Sequence, residues 1–436
     1  MTSGEAGPEP PIATKASMLT VADAMQHVLA GIQPLPPERV SIADSPGRVL
    51  ATDIVAPLTL PPWDNSAMDG YAVRSVDLPG VSDERPVSLR VLETVAAGGI
   101  ATQAIGAGEA IRIMTGAPIP RGADSVIRVE DTDGGIEHVR IRDARDAGRN
   151  VRQRGEDFHE GDVVLGAGSS IAAAQVGILA SMGRSSVDVH RAPRVAILGS
   201  GDELVDLDGV AEAIAGRKII SSNSYTLAAM VRECGGVPLN LGIAADSRES
   251  LREHLLRAAG ASDLLVTSAG ISVGEFDYLR DVLRELGAEL DFWRVRMRPG
   301  APIGFGRLGG IPWLGLPGNP VSTMVTFQLF ARPVMRRLLG HSRLHRRPVP
   351  VVLDEPVSIG ARLTHFLRAI VHVAGDGRLH ARLTGPQGSG ILTSMARANA
   401  LLIVPESDPR HDAGDVLAAI LLTSDADGTD SFSLAP

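Results

Sequence analysis

The stretch RVAILGSGDEL, residues 194–204, is the part of the sequence that decides the fold. RVAIL has the length and apolar character of a buried strand, and the glycine-rich turn after it carries Asp202 and Glu203. Helix and strand patterns then alternate: a helix over 221–236, a strand over 237–244, a helix over 247–260, a strand over 263–268 and a helix over 276–287. This alternation predicts a parallel sheet with helices on both faces.

Acidic residues follow the predicted strands of this sheet. The strand ends lead to Glu203, Asp246 and Asp277, with Asp202 and Glu275 beside them. Ligands of open α/β sheets bind at the carboxyl ends of the strands, so these carboxylates are expected to share one edge. Such a cluster of negative charge predicts a hard divalent cation with oxygen ligands, Mg²⁺ first. The alternative is structural, because acids after strands also cap the next helix, as Asp246 would.

Two further segments predict an anion site near the same edge. In FWRVRMRPGAPIGFG, residues 292–306, strand spacing places Arg294, Arg296 and Arg298 on one face. Guanidinium groups match phosphates and other tetrahedral oxyanions, although a solvated face of an edge strand is the simpler interpretation. In GLPGNPVS, Asn319 is expected to cap a helix that begins with Pro320, and free N–H groups at a helix start favour an anion.

β-Structure is predicted on both sides of this α/β segment. Short strand patterns separated by glycine and proline fill residues 86–166 and recur after residue 344. A hairpin with a Gly309-Gly310 turn precedes the last helix of the α/β part. Further helices are predicted over 18–32 and over 169–182, the second opened by a serine cap.

Composition and charge exclude several classes of protein. The 436 residues carry a net charge of −9 and only 3% aromatic residues, which argues against a nucleic-acid partner. No apolar run reaches membrane length, so no membrane partner is expected. Residues 1–17 lack the pattern of a signal peptide and are expected to form a disordered tail. The single cysteine, Cys234, excludes an intramolecular disulfide, and a cytoplasmic protein is expected.

Motifs of other enzyme classes are missing from the sequence. GSGDEL has only the first pair of the glycines that a nicotinamide-binding turn needs, and no Gly-Lys-Ser/Thr P-loop is present. No Ser-His-Asp or Cys-His set can be identified. The residues alone therefore predict an acidic metal edge beside an arginine-rich oxyanion site. That combination suits a metal-dependent transfer on an anionic, nucleotide-like substrate.

Seven segments together resemble one family. In the family's order they are DNSAMDGYAV, IRIMTGAPIPRGADSVI, RQRGEDFHEGDVVL, GDELV, GISVGEFDY, FWRVRMRPG and GLPGNPVS. Through them the chain resembles the molybdopterin molybdenumtransferases, or molybdenum insertases, to which bacterial MoeA and the E domain of gephyrin belong. The resemblance covers residues 18–425.

The resemblance implies a reaction and an assembly. Members take adenylylated molybdopterin and molybdate, and with Mg²⁺ they release AMP and insert molybdenum at the dithiolene. They are elongated homodimers, and a molybdopterin adenylyltransferase is a further partner to expect. The implied fold is α/β plus β. It has a discontinuous dimerisation domain I (18–60 and 149–190), an inserted β domain II (61–148), a doubly wound, MogA-like domain III (191–343) and a C-terminal β-barrel, domain IV (344–436).

The resemblance also implies an active site, residue by residue. Asp69 and Thr115 of the inserted domain are implied to be catalytic, together with Glu203, Asp246 and Asp277, and these last three are implied to hold Mg²⁺. The residues implied to bind molybdate or the rest of the substrate are Ser200, Gly270, Ser272, Arg294, Arg298, Pro317, Gly318, Asn319, Pro320, Arg368 and Ser389. No protein nucleophile is needed, because a molybdate oxygen can attack the phosphorus.

The sequence departs from the family's pattern in places that bear on activity. Ala269 stands where a glycine is usual, Ser221 replaces an acid, and Ala301 replaces a lysine. Arg298 replaces another lysine but keeps the charge, in a chain from which lysine is nearly absent. The loss of a cation at 301 is expected to cost about 1–3 kcal/mol of anion binding. An active insertase, a weakened paralogue that binds molybdopterin species as a carrier or scaffold, and an unrelated nucleotide-binding enzyme of the same fold are the alternatives.

Overall fold

The computed structural model describes residues 18–270 and 278–422, and the chain forms two compact units. Of the described residues, the first unit contains 18–51, the short stretch 168–171 and those from 187 onward. The second unit contains residues 52–167 and 172–186. The four domains implied by the sequence, with the boundaries given above, stay a prediction.

A six-stranded sheet lies at the centre of the first unit. Its strands are β1 (Arg194–Ser200), β2 (Val237–Ala244), β3 (Leu264–Ser268), β4 (Glu289–Arg294), β5 (Pro302–Leu308) and β6 (Ile311–Leu316). The spatial order is β2-β1-β3-β6-β5-β4. The first four strands of this order run parallel, and β5 pairs antiparallel with both β6 and β4. The predicted α/β sheet and the hairpin are confirmed.

Helices cover both faces of this sheet, because successive strand residues point to opposite sides. In β1, Val195 and Ile197 belong to one apolar core, and Ala196 and Leu198 belong to the other. The first core takes up the helices Val21–Leu29, Ser222–Glu233, Pro320–Thr326 and Arg332–Leu338, and the second takes up Arg248–Ala261 and Tyr278–Glu285.

Two helix starts in the first unit follow the predicted chemistry in part. Ser247 caps its helix and accepts a hydrogen bond from the N–H of Ser250 at 3.3 Å, as expected. Pro320 is the first residue of its helix, but the side chain of Asn319 makes no capping bond. The expected single helix after Pro320 is interrupted, because a π-helical turn at Phe327–Ala331 separates two α-helical segments.

A closed five-stranded barrel forms the C-terminal part of the first unit. Its strands are β7 (Val349–Leu353), β8 (Thr364–Val373), β9 (Leu379–Leu383), β10 (Ala400–Val404) and β11 (Val416–Leu421). The order β8-β9-β7-β11-β10 closes on itself, because β10 also pairs with β8. Closure removes the unpaired edges that an open sheet would expose. The predicted C-terminal barrel is confirmed.

The arginine-rich segment does not form the single strand expected from its spacing. β4 ends at Arg294, and Met297–Arg298 pairs instead with the first residues of β8. The apolar residues between the arginines are fully buried, so the alternation of inward and outward side chains holds. Arg296 forms an ion pair with Glu406, which follows the barrel strand β10, at 2.9 Å.

A five-stranded sheet forms the core of the second unit. Its order is Ser125–Arg128, Gly70–Val73, Glu109–Ile113, Val87–Val95 and His138–Ile141. Two strand pairs accompany it, Asn65–Ser66 with Val151–Arg152 and Ile54–Val55 with Val163–Leu165. Tyr71 and Ala72 face two different apolar cores, as period two requires. The predicted β-rich region is confirmed.

The helix of the second unit, Ala173–Ser181, begins later than expected, and the predicted serine cap is wrong. The start of the helix is capped by a residue of its own first turn, because the side chain of Gln175 accepts a hydrogen bond from the N–H of Ala172 at 3.0 Å. Smaller elements of the chain are the strand pairs Pro37–Ser41 with Ser186–His190, Leu204–Val205 with Ile219–Ile220 and Val357–Ser358 with Arg410–His411, and the helices Val210–Ile214 and Leu392–Ala396. Within the two described ranges, no helix has the length and apolar character needed to cross a bilayer.

Candidate active site

A cavity of about 430 Å³ opens beyond the carboxyl ends of β1, β3 and β6. The turns after these strands form its walls together with the start of the helix Ser222–Glu233. Six of the predicted site residues line it: Glu203, Gly270, Pro317, Gly318, Asn319 and Pro320. A seventh, Ser200, lies behind the wall, because a Cβ on Gly270 would be 3.1 Å from its Oγ. The cavity lies where ligands of parallel sheets bind.

The turn Pro317–Pro320 is held rigidly by side chains around it. Asn223 Nδ2 donates hydrogen bonds to Gly318 O at 2.7 Å and to Ser268 Oγ at 2.8 Å, and so ties β3 to the turn. The buried Thr323 hydroxyl donates to Pro317 O at 2.5 Å. A preorganised turn of this kind presents fixed backbone groups to a ligand without further ordering cost.

Asn223 is a site residue that the sequence prediction missed. Its Nδ2 group is used twice, as described above, whereas its Oδ1 is buried and has no hydrogen-bond partner among the described residues. An unpaired buried acceptor costs about 1–3 kcal/mol, so it needs an explanation, such as a donor supplied by a ligand or by an ordered water. Asn223 lines the cavity, so a ligand with an N–H or O–H group would satisfy it.

Ala269 adopts a left-handed backbone conformation in the cavity wall. Its φ is 78°, and Ala269 and Asn150 are the non-glycine residues with positive φ in the described ranges. A left-handed alanine is disfavoured by about 1–2 kcal/mol because Cβ crowds the carbonyl oxygen. The methyl group faces the Pro317–Pro320 turn, since a Cβ on Gly318 would lie 3.2 Å from the Cβ of Ala269. A glycine at 269 would avoid both effects.

Asp202 and Asp246 form a reciprocal pair at the edge of the sheet. The N–H of Asp202 donates to Asp246 Oδ2 at 3.3 Å, and the N–H of Asp246 donates to Asp202 Oδ1 at 3.1 Å. The ammonium group of Lys218 donates to the carbonyl oxygen of Asp202. The prediction that acids after β1 and β2 meet is therefore confirmed. Lys218 is a second residue at this edge that sequence reasoning missed.

The remaining predicted acids are placed in different ways. The carboxylate of Glu203 folds over Gly201, where a Cβ would lie 2.4 Å from Glu203 Oε2. Asp277 and Ser272 lie outside the described residues. Among the residues that the structure describes, no three His, Cys, Asp or Glu side chains are grouped to hold a metal ion.

Asp69 and Thr115 lie together in the second unit. Both the N–H and the hydroxyl of Thr115 donate to Asp69 Oδ1 at 2.7 Å. These two hydrogen bonds lower the pKa of Asp69, the backbone bond most strongly. The glycine that follows is required, because a Cβ on Gly70 would lie 2.0 Å from Ile127 O. The Met-Asp-Gly motif thus places an ionised carboxylate at the start of a tightly paired strand.

Arg368 lies behind the loop that carries Ser389 instead of in an open site. Its side chain is fully buried, and its guanidinium donates to the carbonyl oxygens of Gln387 at 3.1 Å and Gly388 at 2.9 Å. Burial lowers its pKa. The carbonyl oxygen of Ser389 in turn accepts the N–H of Val321 at 3.1 Å, which brings this loop to the helix that begins at Pro320.

Arg294 and Arg298 do not line the cavity among the residues that the structure describes. Arg294 ends β4, and Arg298 is exposed in the short strand beside β8. The cavity wall nearest to them in the chain is Pro302. The predicted cation site is therefore outside the cavity wall, on the segment that leads into it.

Three family models match the chain in sequence. They are the MoeA N-terminal region (domain I and II) at residues 19–183, a probable molybdopterin binding domain at 196–337, and the MoeA C-terminal region (domain IV) at 350–422. A molybdopterin molybdenumtransferase of Nostoc sp. is 38% identical over 87% of this chain and 88% of its own length. Molybdopterin molybdenumtransferase 2 of Mycobacterium tuberculosis is 36% identical over 93% of this chain and 100% of its own length.

The fold is similar to that of a solved relative as well. A molybdopterin biosynthesis MoeA protein from Pyrococcus horikoshii OT3 matches with a TM-score of 0.80 at 28% identity, over 93% of this chain and 100% of that one. The sequence matches and this structural match agree with the resemblance found in the seven segments. The chain therefore belongs to the MoeA family of transferases, the molybdopterin molybdenumtransferases.

Proposed function

We propose that this protein inserts molybdate into adenylylated molybdopterin in a Mg²⁺-dependent reaction that releases AMP. A role in molybdenum cofactor biosynthesis follows from its family. The observation that carries the finer proposal is the cavity beyond β1, β3 and β6, with its rigid Pro317–Pro320 turn and the unpaired Oδ1 of Asn223. A pterin has N–H groups that would satisfy this acceptor.

The acid pair at the edge of the sheet suits Mg²⁺ as the cofactor. Mg²⁺ is usually held by one or two carboxylates together with substrate phosphates and waters, so a protein cage of three ligands is not required. Asp202 and Asp246 supply two carboxylates whose positions are fixed by each other's N–H groups. We assign them to Mg²⁺ together with Glu203 and Asp277. The ion would neutralise phosphate charge and polarise the P–O bond that breaks.

The residues that would act on molybdate are cationic or present fixed polar groups. Arg294 and Arg298 supply the positive charge on the segment that leads to the cavity. Ser389 is held near the Pro317–Pro320 turn. The guanidinium of Arg368 fixes the loop that carries Ser389 by donating hydrogen bonds to carbonyl oxygens of that loop. Asp69 would act as an ionised carboxylate, because its pKa is lowered. The reaction requires no covalent intermediate with the protein.

A weakened paralogue that binds molybdopterin species is the second candidate function, and two observations favour it. The strained methyl group of Ala269 lies in the cavity wall, and the cation usual at 301 is missing. A homodimer, a cytoplasmic location and an adenylyltransferase partner that hands over the substrate belong to the proposal for either candidate.

Reactivation of a molybdoenzyme separates the two candidates. The purified protein is incubated with adenylylated molybdopterin, molybdate and Mg²⁺, and the mixture is added to a molybdoenzyme that lacks its cofactor. Activity that depends on molybdate and on Mg²⁺, and that Asp246→Asn lowers strongly, supports the insertase. Tight binding of adenylylated molybdopterin without reactivation would instead support the carrier. Absence of both would overturn the proposed function.

A further inference from the structure

A cluster of arginines lies apart from the candidate active site, around the end of the helix Ser222–Glu233. Arg332 and Arg336 lie one turn apart on the helix Arg332–Leu338, and Arg346 follows in the next loop. Arg332 donates to Leu344 O at 3.3 Å, and Arg336 Nε donates to Arg343 O at 2.8 Å. These bonds hold the loop against the helix, so the guanidinium groups are gathered by the fold.

Among the residues that the structure describes, no carboxylate acts on Arg332 or Arg336. Residues 292–353 contain no Asp or Glu, although the whole chain has a net charge of −9. In the described part of the chain, the charged groups that act on Arg332 are Arg336, Arg346 and the thiol of Cys234. Burial first, and then these two arginines, lower the pKa of Arg332 to about 10. Half-buried cations without a carboxylate partner carry a desolvation cost, so such an arrangement calls for a reason.

The hydrogen bonds of the cluster are incomplete as well. Arg346 Nε is buried and has no partner within residues 18–270 and 278–422. Attraction to the helix dipole accounts for Arg336, which lies in the last helical turn, but Arg332 starts that helix and Arg346 lies beyond it. Arg332 and Arg336 each use one nitrogen for a loop carbonyl oxygen, which leaves the other N–H groups of their guanidinium forks for an anion.

We propose that Arg332, Arg336 and Arg346 form a binding site for a tetrahedral oxyanion of the phosphate type beside Cys234. Guanidinium forks match the oxygens of such an anion and remain charged when partly buried. The anion would supply both the missing negative charge and the missing acceptors. The ligand chemistry is shared by inorganic phosphate and by the phosphate group of a nucleotide. The proposal does not rest on molybdate insertion.

Thermal unfolding of the full chain tests the proposal. Melting temperatures are measured with inorganic phosphate or AMP, with chloride adjusted to keep the ionic strength constant. Phosphate is expected to raise the Tm of the wild type by about 2–4 °C, because it binds the native state alone. In Arg332→Met this rise is expected to be lost, and without phosphate the Tm should lie above that of the wild type, because a half-buried charge without a carboxylate partner is gone.

Matched variants separate this site from general salt effects and from the cavity. Arg343→Met removes an exposed arginine of the same loop and should respond like the wild type. Arg336→Met repeats the test on the second member of the cluster. A response to AMP but not to inorganic phosphate, if it is lost in Arg332→Met, would assign the site to nucleotides. Equal responses of wild type and Arg332→Met, no response of the wild type to either anion, or a lower Tm of Arg332→Met without anion would overturn the proposal.

The single cysteine offers an independent readout. Burial raises the pKa of the Cys234 thiol; Arg332, Arg346 and Arg336 counteract this, whereas the neighbouring carboxylate of Glu233 raises the pKa further. A bound anion would cancel their field, so phosphate is expected to slow alkylation of Cys234 by iodoacetamide at pH 8, and Arg332→Met should abolish the effect. An alkylation rate that phosphate leaves unchanged in the wild type would contradict the proposed position beside the thiol.

Discussion

Asp69 and Thr115 are joined by two hydrogen bonds that end on the same carboxylate oxygen. The backbone N–H and the hydroxyl of Thr115 both donate to Oδ1, each at 2.7 Å. Because these bonds favour the charged form, they hold the pKa of Asp69 below its usual range. Oδ2 has no hydrogen-bond partner in the described ranges and is the oxygen left for a ligand.

Thr115→Val should raise the pKa of Asp69, because the hydroxyl donor is lost while the backbone donor remains. The acid limb of the pH profile for AMP release should move to higher pH with it, since Asp69 then becomes protonated earlier as the pH falls. NMR titration of the Asp69 carboxyl group measures the pKa directly. Thr94→Val, at an exposed strand position of the same unit, is the control. An unchanged Asp69 pKa would contradict this reading of the pair.

Ala269 and Gly318 should be energetically coupled. Gly318→Ala is expected to destabilise the chain by about 1–2 kcal/mol, because its new Cβ would lie 3.2 Å from the Cβ of Ala269. Ala269→Gly removes a left-handed alanine, and should be neutral or stabilising by up to about 1 kcal/mol. Denaturant unfolding of the four proteins gives the coupling. Additive effects of the two substitutions would show that the two positions do not touch.

Ala301→Lys should tighten molybdate binding by about tenfold, which corresponds to roughly 1.4 kcal/mol from one added charge-assisted hydrogen bond. The position fits this role because Ala301 is next to Pro302 in the cavity wall and its carbonyl oxygen accepts the N–H of Val295 at 3.0 Å. Ala301→Met has a side chain of similar length without charge and is the matched control. Calorimetric titration with molybdate measures the affinity. Equal gains in both variants would assign the effect to packing.

The ion pair of Asp146 with Arg128 should stabilise the second unit. Asp146 is buried and accepts bonds from Arg128 Nε at 2.7 Å and Nη2 at 3.1 Å. Asp146→Asn should lower the free energy of unfolding by about 2–3 kcal/mol at pH 7, since Arg128 loses its bidentate partner. Asp143→Asn, at an exposed aspartate nearby, should change it little.

The same pair predicts a pH dependence with a definite sign. The hydrogen bonds from Arg128 are the first cause that lowers the pKa of Asp146 below its ordinary 3.8. A carboxyl group with a lowered pKa contributes stability above its unfolded value, and this contribution is lost as the pH falls through the folded value. The wild type should therefore lose stability below pH 3.8 more steeply than Asp146→Asn. Parallel curves for the two proteins would contradict the assignment.

The α/β sheet could be predicted from the sequence because its signals are local. Apolar runs of strand length, helical spacing and caps such as Ser247 each act within a few residues. The meeting of Asp202 and Asp246 followed from a general rule of parallel sheets, without any knowledge of side-chain contacts. The Asp69–Thr115 pair could be inferred only from the resemblance, since 46 residues separate its members.

What the sequence missed depends on contacts between distant segments. The strand expected through Arg294 and Arg298 is divided because Met297–Arg298 finds its partner in a barrel strand far along the chain. The resemblance predicted Arg368 as a ligand-binding cation. In the structure its guanidinium N–H groups donate to the carbonyl oxygens of neighbouring residues instead. Asn223 gave no signal beyond its place at a helix start, because its importance lies in one unpaired oxygen.

AMP release from adenylylated molybdopterin, measured with and without molybdate in Mg²⁺, tests the central claim most directly. The account predicts AMP release that depends on molybdate, that Asp69→Ala and Asp277→Ala abolish, and that occurs with both variants folded. Full activity of either variant would contradict the assignment of the site. Tight binding of the substrate by the wild type with no molybdate-dependent AMP would contradict the insertase itself.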